Sequence, residues 1–257
     1  MPIWQINIIM RNILYLLLFS TQLFFAQSGF ENGNALYAKG KYTEAVAAYE
    51  SVLSQKQHSS ELYFNLANAH YKLNAVAPAI YNYEKALVLN PENTAAANNL
   101  KFAQKRTIDE IKVVPKVGLA ALLHNITGKL HYDTWAWSAV GFSGVVFLMF
   151  LGYYFSRNTV LKRVFFGSIF VMIAGILICV TAANIEKNHF DNDKPAIVFA
   201  ERTAVTSQPR NGDKPLIVLH EGAKVYVFET KSQWTKIELT DGTEGWIESS
   251  AIKEVKD

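Results

Sequence analysis

Apolar positions are spread unevenly along this chain, and their period changes from one segment to the next. Residues 1–26 carry Arg11 ahead of an apolar run, Ile13–Phe25, which Ala26 closes. A charged start, a short apolar stretch and a small residue at the cut form a secretory signal; the bulky Phe24 leaves an uncleaved anchor as the alternative. From Phe30 the pattern repeats after 34 residues: Asn34 pairs with Asn68, Ala45 with Ala79, Tyr49 with Tyr83, and Gly40 with Asn74 in the turn. The second copy adds Leu66, Ala67, Ala86 and Pro91. This period predicts stacked helix–turn–helix units over 27–112, with Thr94–Ile111 as a terminal capping helix.

Residues 113–134 connect these units to a strongly apolar region. Leu119, Leu122, Leu123 and Ile126 fall at helical spacing and predict a short amphipathic helix at a membrane surface, with an ordinary juxtamembrane linker as the alternative. Residues 135–155 and 164–185 then form two apolar segments, neither containing a charged residue. As helices, each covers the roughly 30 Å of a bilayer's hydrocarbon. The turn between them, 156–163, contains Arg157, Lys162 and Arg163 with no acid, which assigns it to the cytoplasmic side. Trp135, Trp137, Tyr153 and Tyr154 sit near the ends of the first span, as interfacial aromatics do. The signal and the basic turn agree in placing both polar regions across the inner membrane, in the periplasm.

A polar stretch, 186–194, reads as a linker to residues 195–257. There the period shifts to short β-rich runs: Ile197–Phe199, Ala204–Thr206, Leu216–Leu219, Val225–Glu229, Trp234–Leu239 and Gly245–Ile247. Asn211-Gly212, Glu221-Gly222 and Asp241-Gly242 supply turns between them. The fold class is thus a multidomain membrane protein: an α-helical repeat segment, a two-helix transmembrane hairpin and a small all-β barrel.

Composition narrows the function. The net charge of +3 over 257 residues, with Lys and Arg scattered, gives no footprint for nucleic acid. Cys179 is the single cysteine, so no intrachain disulfide forms; with Gly175 and Ala183 it makes a small-residue stripe for packing against the first span. The six histidines are dispersed, with no zinc-helix spacing, no phosphate loop and no nucleophile elbow. The expectation is a non-enzymatic protein without cofactor or metal. His70 reads as a core histidine, and Asp191 and Asp193 as linker residues rather than a calcium loop.

The 34-residue spacing with its small-then-aromatic positions resembles the tetratricopeptide repeat. The first copy departs from that pattern, with Gly29 at a large apolar position and Gln57 where proline usually closes the unit. The resemblance implies a concave peptide-binding groove, and the repeat register places Asn34, Tyr37, Phe64, Asn65, Asn68, Tyr71 and Lys72 at or beside it. Asn34 and Asn65 match the asparagines of the family's carboxylate clamp, but Phe30, Ala95 and Asn99 stand where its basic residues would be.

Farther on, Ala204-Val205-x-Ser207-x-Pro209, Leu219-x-Glu221-Gly222, Trp234-x-x-Ile237 and Asp241-Gly242-x-x-Gly245-Trp246-Ile247 together resemble the bacterial SH3 domain. Trp234 and Trp246 are its candidate surface or core residues. The whole arrangement is similar to the BatE proteins of the Bacteroides aerotolerance operon. That resemblance implies membrane partners, including von Willebrand factor A-type proteins, and a link to oxidative stress. The expected function is an inner-membrane scaffold; the alternative is peptidoglycan binding or sensing through the SH3 domain.

Overall fold

The computed structural model describes residues 29–112, 114, 118–210 and 212–256, so the expected signal at 1–26 lies outside the described residues. The chain divides into two compact units. One combines the helices up to Lys112 with the sheet from Lys194 onward, and the other spans 113–193.

In the first unit, helix α1 covers 29–38, followed by α2 (Tyr42–Ser54), α3 (Ser60–Lys72), α4 (Val76–Leu89) and α5 (Thr94–Gln104). Gly40 and Asn74 adopt φ of +74° and +60° in the turns within each pair, a conformation that glycine and asparagine accept most readily. The Ser59 hydroxyl caps α3 by accepting the Leu62 N–H, and Asn93 caps α5 by accepting from Ala96. Ala45, Ala79, Tyr49 and Tyr83 are buried at equivalent positions of the two copies. Gly29 has a local cause: a Cβ there would lie 2.8 Å from Val52 Cγ2.

Helix α5 stops at Gln104, short of the expected Ile111. The residues beyond it have partners that a straight helix would not reach. Arg106 donates to the Tyr71 carbonyl, Asp109 binds His220, and Ile111 packs against the core of the sheet.

The sheet has strands β1 (Pro195–Val198), β2 (Arg202–Thr206), β3 (Pro215–His220), β4 (Lys224–Lys231), β5 (Trp234–Glu238), β6 (Glu244–Glu248) and β7 (Ile252–Glu254). Their order is β3-β2-β6-β5-β4-β1-β7, and every pairing is antiparallel. The six expected runs each fall on a strand. Gly212, Gly222 and Gly242 take φ near +80°, +87° and +86° in the turns. Register shifts after Val205 and after Val227 mark bulges, and Phe228 is left half exposed at the second.

Helices and sheet were expected as separate domains, but they share a core. Strand β1 is buried on both faces. Successive side chains of a strand point to opposite sides. Ala196 and Val198 accordingly join Val205, Leu219 and Ile247 inside the sheet. Ile197 joins Ile80, Tyr83 and Ala77 among the helices, and Phe199 meets Tyr81 edge-on at 5.6 Å. An ion pair from Lys224 to Glu84, 2.8 Å, lies at the same junction.

The second unit contains α6 (Leu119–Thr127), α7 (Tyr132–Phe155) and α8 (Thr159–Asn192). Both α7 and α8 are long and apolar enough to cross a membrane, with side chains such as Phe147 and Phe170 exposed. The connection between them is only Ser156–Asn158, so Lys162 and Arg163 belong to the start of α8. Of the expected stripe, Cys179 is buried and Ala183 half-buried, and a Cβ on Gly175 would lie 3.7 Å from Phe142. Residues 186–192, expected as linker, instead continue α8. Within this stretch the buried Glu186 carboxylate accepts from the Thr127 hydroxyl and lies 3.0 Å from His124 Nδ1.

Candidate functional site

A groove forms along the repeat segment where α1, α3 and α5 lie side by side. Tyr37, Asn68, Tyr71, Lys72, Asn99 and Phe102 line a cavity there of about 320 Å³. Four of these were expected from the register. Asn99 was placed only where the clamp's basic residue would stand, and Phe102 was not singled out, because α5 was read as a cap. They stand one repeat period after Asn65 and Asn68, the register that locates both.

The asparagines have a structural role that spacing alone did not reveal. Asn34 Oδ1 accepts from the Tyr49 hydroxyl at 2.7 Å and from Asn65 Nδ2 at 2.9 Å. One repeat on, Asn68 Oδ1 accepts from Tyr83 at 2.6 Å and Asn99 Nδ2 at 2.9 Å. Each oxygen thereby has both acceptor positions engaged. The pairs tie neighbouring repeats together and satisfy two phenols whose rings are buried, which an unpaired hydroxyl in that place would not tolerate cheaply. Burial pushes Tyr49 up to about 12 and Tyr83 well above the ordinary phenol range, so both remain donors at neutral pH.

Phe64 is half-buried, its ring 6.1 Å from that of Tyr83, and lies beside the groove rather than in the cavity. Tyr37 packs edge-on against Tyr42, and burial, with Tyr42 as the smaller cause, raises its phenol. Arg106 stacks on Tyr71 at 3.8 Å and donates to the Tyr71 carbonyl and to Asn74 Oδ1, which fixes one wall. Phe102, also lining the cavity, is 57% exposed, with the Lys105 ammonium 5.7 Å from its ring.

Trp234 and Trp246 are both buried, which assigns them to the body of the sheet rather than to an open platform. A second cleft, of about 480 Å³, lies where α4 meets the sheet, with Tyr81, Thr230, Ser249 and Lys253 among its lining residues. Among the described residues no group of His, Cys, Asp and Glu is placed to hold a metal ion.

The groove's architecture agrees with comparison to known families. Residues 33–74 match a TPR repeat family, and residues 60–93 match the tetratricopeptide repeat family. Residues 33–93 are therefore tetratricopeptide repeats, which suggest protein–protein interaction scaffolding. No curated protein matches the chain.

Proposed function

We propose that this protein is a non-enzymatic inner-membrane scaffold of the BatE type, holding a protein partner in its repeat groove. The observation that carries this reading is the open groove itself: an exposed Phe102, two tyrosines and Lys72 around a cavity at the face of matched repeats. In the reading, α7 and α8 form a two-span hairpin, residues 1–26 direct export, and the sheet is a bacterial SH3 domain. Connectivity supports one-sided topology. The hairpin is inserted in sequence between helices and strands that share a core, which favours a chain that leaves and returns on one side of a bilayer. The basic residues Arg157, Lys162 and Arg163 favour the cytoplasm for the loop and the periplasm for the shared core. The partners are membrane proteins of the aerotolerance operon, von Willebrand factor A-type proteins among them.

A crosslinked pull-down of the full chain from its own membranes tests this. Tyr37→Ala/Phe102→Ala is the informative groove variant, since Asn34 and Asn68 are needed for repeat packing. Loss of von Willebrand A-type partners from that variant supports the scaffold; their full retention overturns it. The hydroxyl- and lysine-lined cleft at the sheet favours one second reading, a contact with the wall. That reading requires retention of the full chain on peptidoglycan and its loss in Lys253→Glu.

A further inference from the structure

The charges around the groove are segregated along the helices. Glu61 lies in the first turn of α3 and Lys72 in its last, roughly 16 Å apart at 1.5 Å per residue. Glu31 lies near the described start of α1, while Lys101 occupies the last turn of α5, with Lys105 and Arg106 just beyond. The cavity lined by Tyr37, Tyr71 and Phe102 is at the basic end. Lys72, Lys101 and Lys105 are exposed there, and among the described residues none of them pairs with a carboxylate.

The floor points the same way. The Asn68 carbonyl oxygen is saturated by Tyr83 and Asn99, so what Asn68 can offer a ligand is its amide N–H. The helix C-termini oppose an anion, each carrying about half a negative charge. Arg106 offsets this for α3 by donating to the Tyr71 carbonyl, and three further ammonium groups outweigh the remainder. A cation-rich rim, with the Asn68 amide N–H below it and exposed aromatic surface beside it, calls for a ligand with acceptors and an apolar anchor.

We propose that the groove takes an extended acidic segment of a partner protein, with an apolar or aromatic side chain seated against Tyr37, Tyr71 and Phe102. Its carboxylates face Lys72, Lys101 and Lys105. This rests on the scaffold reading and adds the chemistry of the partner. The site differs from the family's carboxylate clamp, because its cations come from the ends of α3 and α5 and its innermost asparagines are engaged in repeat packing.

The test uses the full chain in lipid nanodiscs and two labelled peptides, one alternating aspartate with phenylalanine and one with asparagine in place of aspartate. Fluorescence anisotropy should show the acidic peptide binding about tenfold more tightly, with the preference shrinking as salt is raised. Lys72→Glu/Lys105→Glu should abolish that preference, Lys72→Gln/Lys105→Gln should reduce it, and Phe102→Ala should weaken both peptides. Equal binding of the two peptides, binding of neither, or a preference that survives the charge reversal overturns the proposal. So does a crosslink through the groove that joins two copies of this chain. Native partner recovery separates the two levels. If it resists both lysine variants but is lost in Tyr37→Ala/Phe102→Ala, the acidic ligand falls and the scaffold stands; if it resists all of them, both fall.

Discussion

The Asp109 carboxylate grips His220 from 111 residues away: Oδ2 accepts the His220 backbone N–H at 2.6 Å, and Oδ1 lies 2.8 Å from Nδ1. Asp109 follows the last repeat helix and His220 ends β3, so the pair fastens the sheet to the helices. Asp109→Ala should cost roughly 1.5–3 kcal/mol, the range for a hydrogen bond to a charged group. Limited proteolysis of the full chain should then cut faster between Lys105 and Lys112. Unchanged protection there would show that the shared apolar core holds the junction without this pair.

Two turn glycines separate backbone conformation from packing. Gly222 and Gly242 have nearly the same φ, +87° and +86°. A Cβ on Gly242 meets nothing within 4 Å, whereas one on Gly222 would lie 2.8 Å from Thr107 Cγ2 and 3.1 Å from Val76 Cγ1. Gly242→Ala should therefore cost about 1 kcal/mol for the left-handed conformation alone. Gly222→Ala should cost about 1–3 kcal/mol more, because the helix–sheet contact must open. Equal losses in thermal stability would refute the packing argument.

The repeats, the hairpin and six of the seven strands were legible because each has a period or a turn residue with one physical cause. Strand β7 was not, since Ile252–Glu254 has no alternation to read and is set by pairing with β1. The shared core was hidden for a related reason. The run Ile197–Phe199 looks like a buried strand whatever covers its second face, and only the fold shows that Ile80 and Tyr81 do so. Polar composition made 186–192 look like linker, because the partners of Glu186 lie about 60 residues earlier. In the groove, spacing located the asparagines but not their hydrogen bonds, which depend on where Tyr49 and Tyr83 point.

Asn68→Ala removes the acceptor for Tyr83 and the tie to Asn99 together. With the Tyr83 ring fully buried, its hydroxyl is left unsatisfied, at a cost of about 1–3 kcal/mol. Adding Tyr83→Phe to that variant should recover part of the loss, since the orphaned hydroxyl goes with it. A double-mutant cycle on the thermal midpoint measures this; simple additivity of the two losses would contradict the ladder.

Burial holds the His70 imidazole below its ordinary value of 6.5. The folded form thus disfavours the proton that the unfolded chain accepts. His70 leaves stability undiminished above about pH 6.5, and stability declines as the pH falls from there toward the lowered folded value. Thermal midpoints between pH 8 and pH 5 should fall less steeply in His70→Gln than in the parent. An identical slope in the two would assign the acid loss to other groups.

Glu186 organises the polar end of the hairpin unit. Its carboxylate receives the Thr127 hydroxyl and faces His124, whose ring lies 4.3 Å from that of His189, while Trp135 Nε1 donates to the Thr127 carbonyl at 2.9 Å. These contacts turn the polar side of α6 toward α8 and leave Leu122 and Ile126 outward, 61% and 68% exposed. Glu186→Gln keeps an acceptor for Thr127 and should preserve this arrangement. Glu186→Leu offers none, and it leaves Thr127 and His124 without their partner. The expected loss is about 1–3 kcal/mol of local stability, read as amide exchange on the order of tenfold to a hundredfold faster across Leu122–Thr127. Exchange should stay unchanged in the middle of α7, which separates release of α6 from unfolding of the unit. If both variants exchange like the parent, α6 is held by its apolar side, and the buried carboxylate has no positioning role.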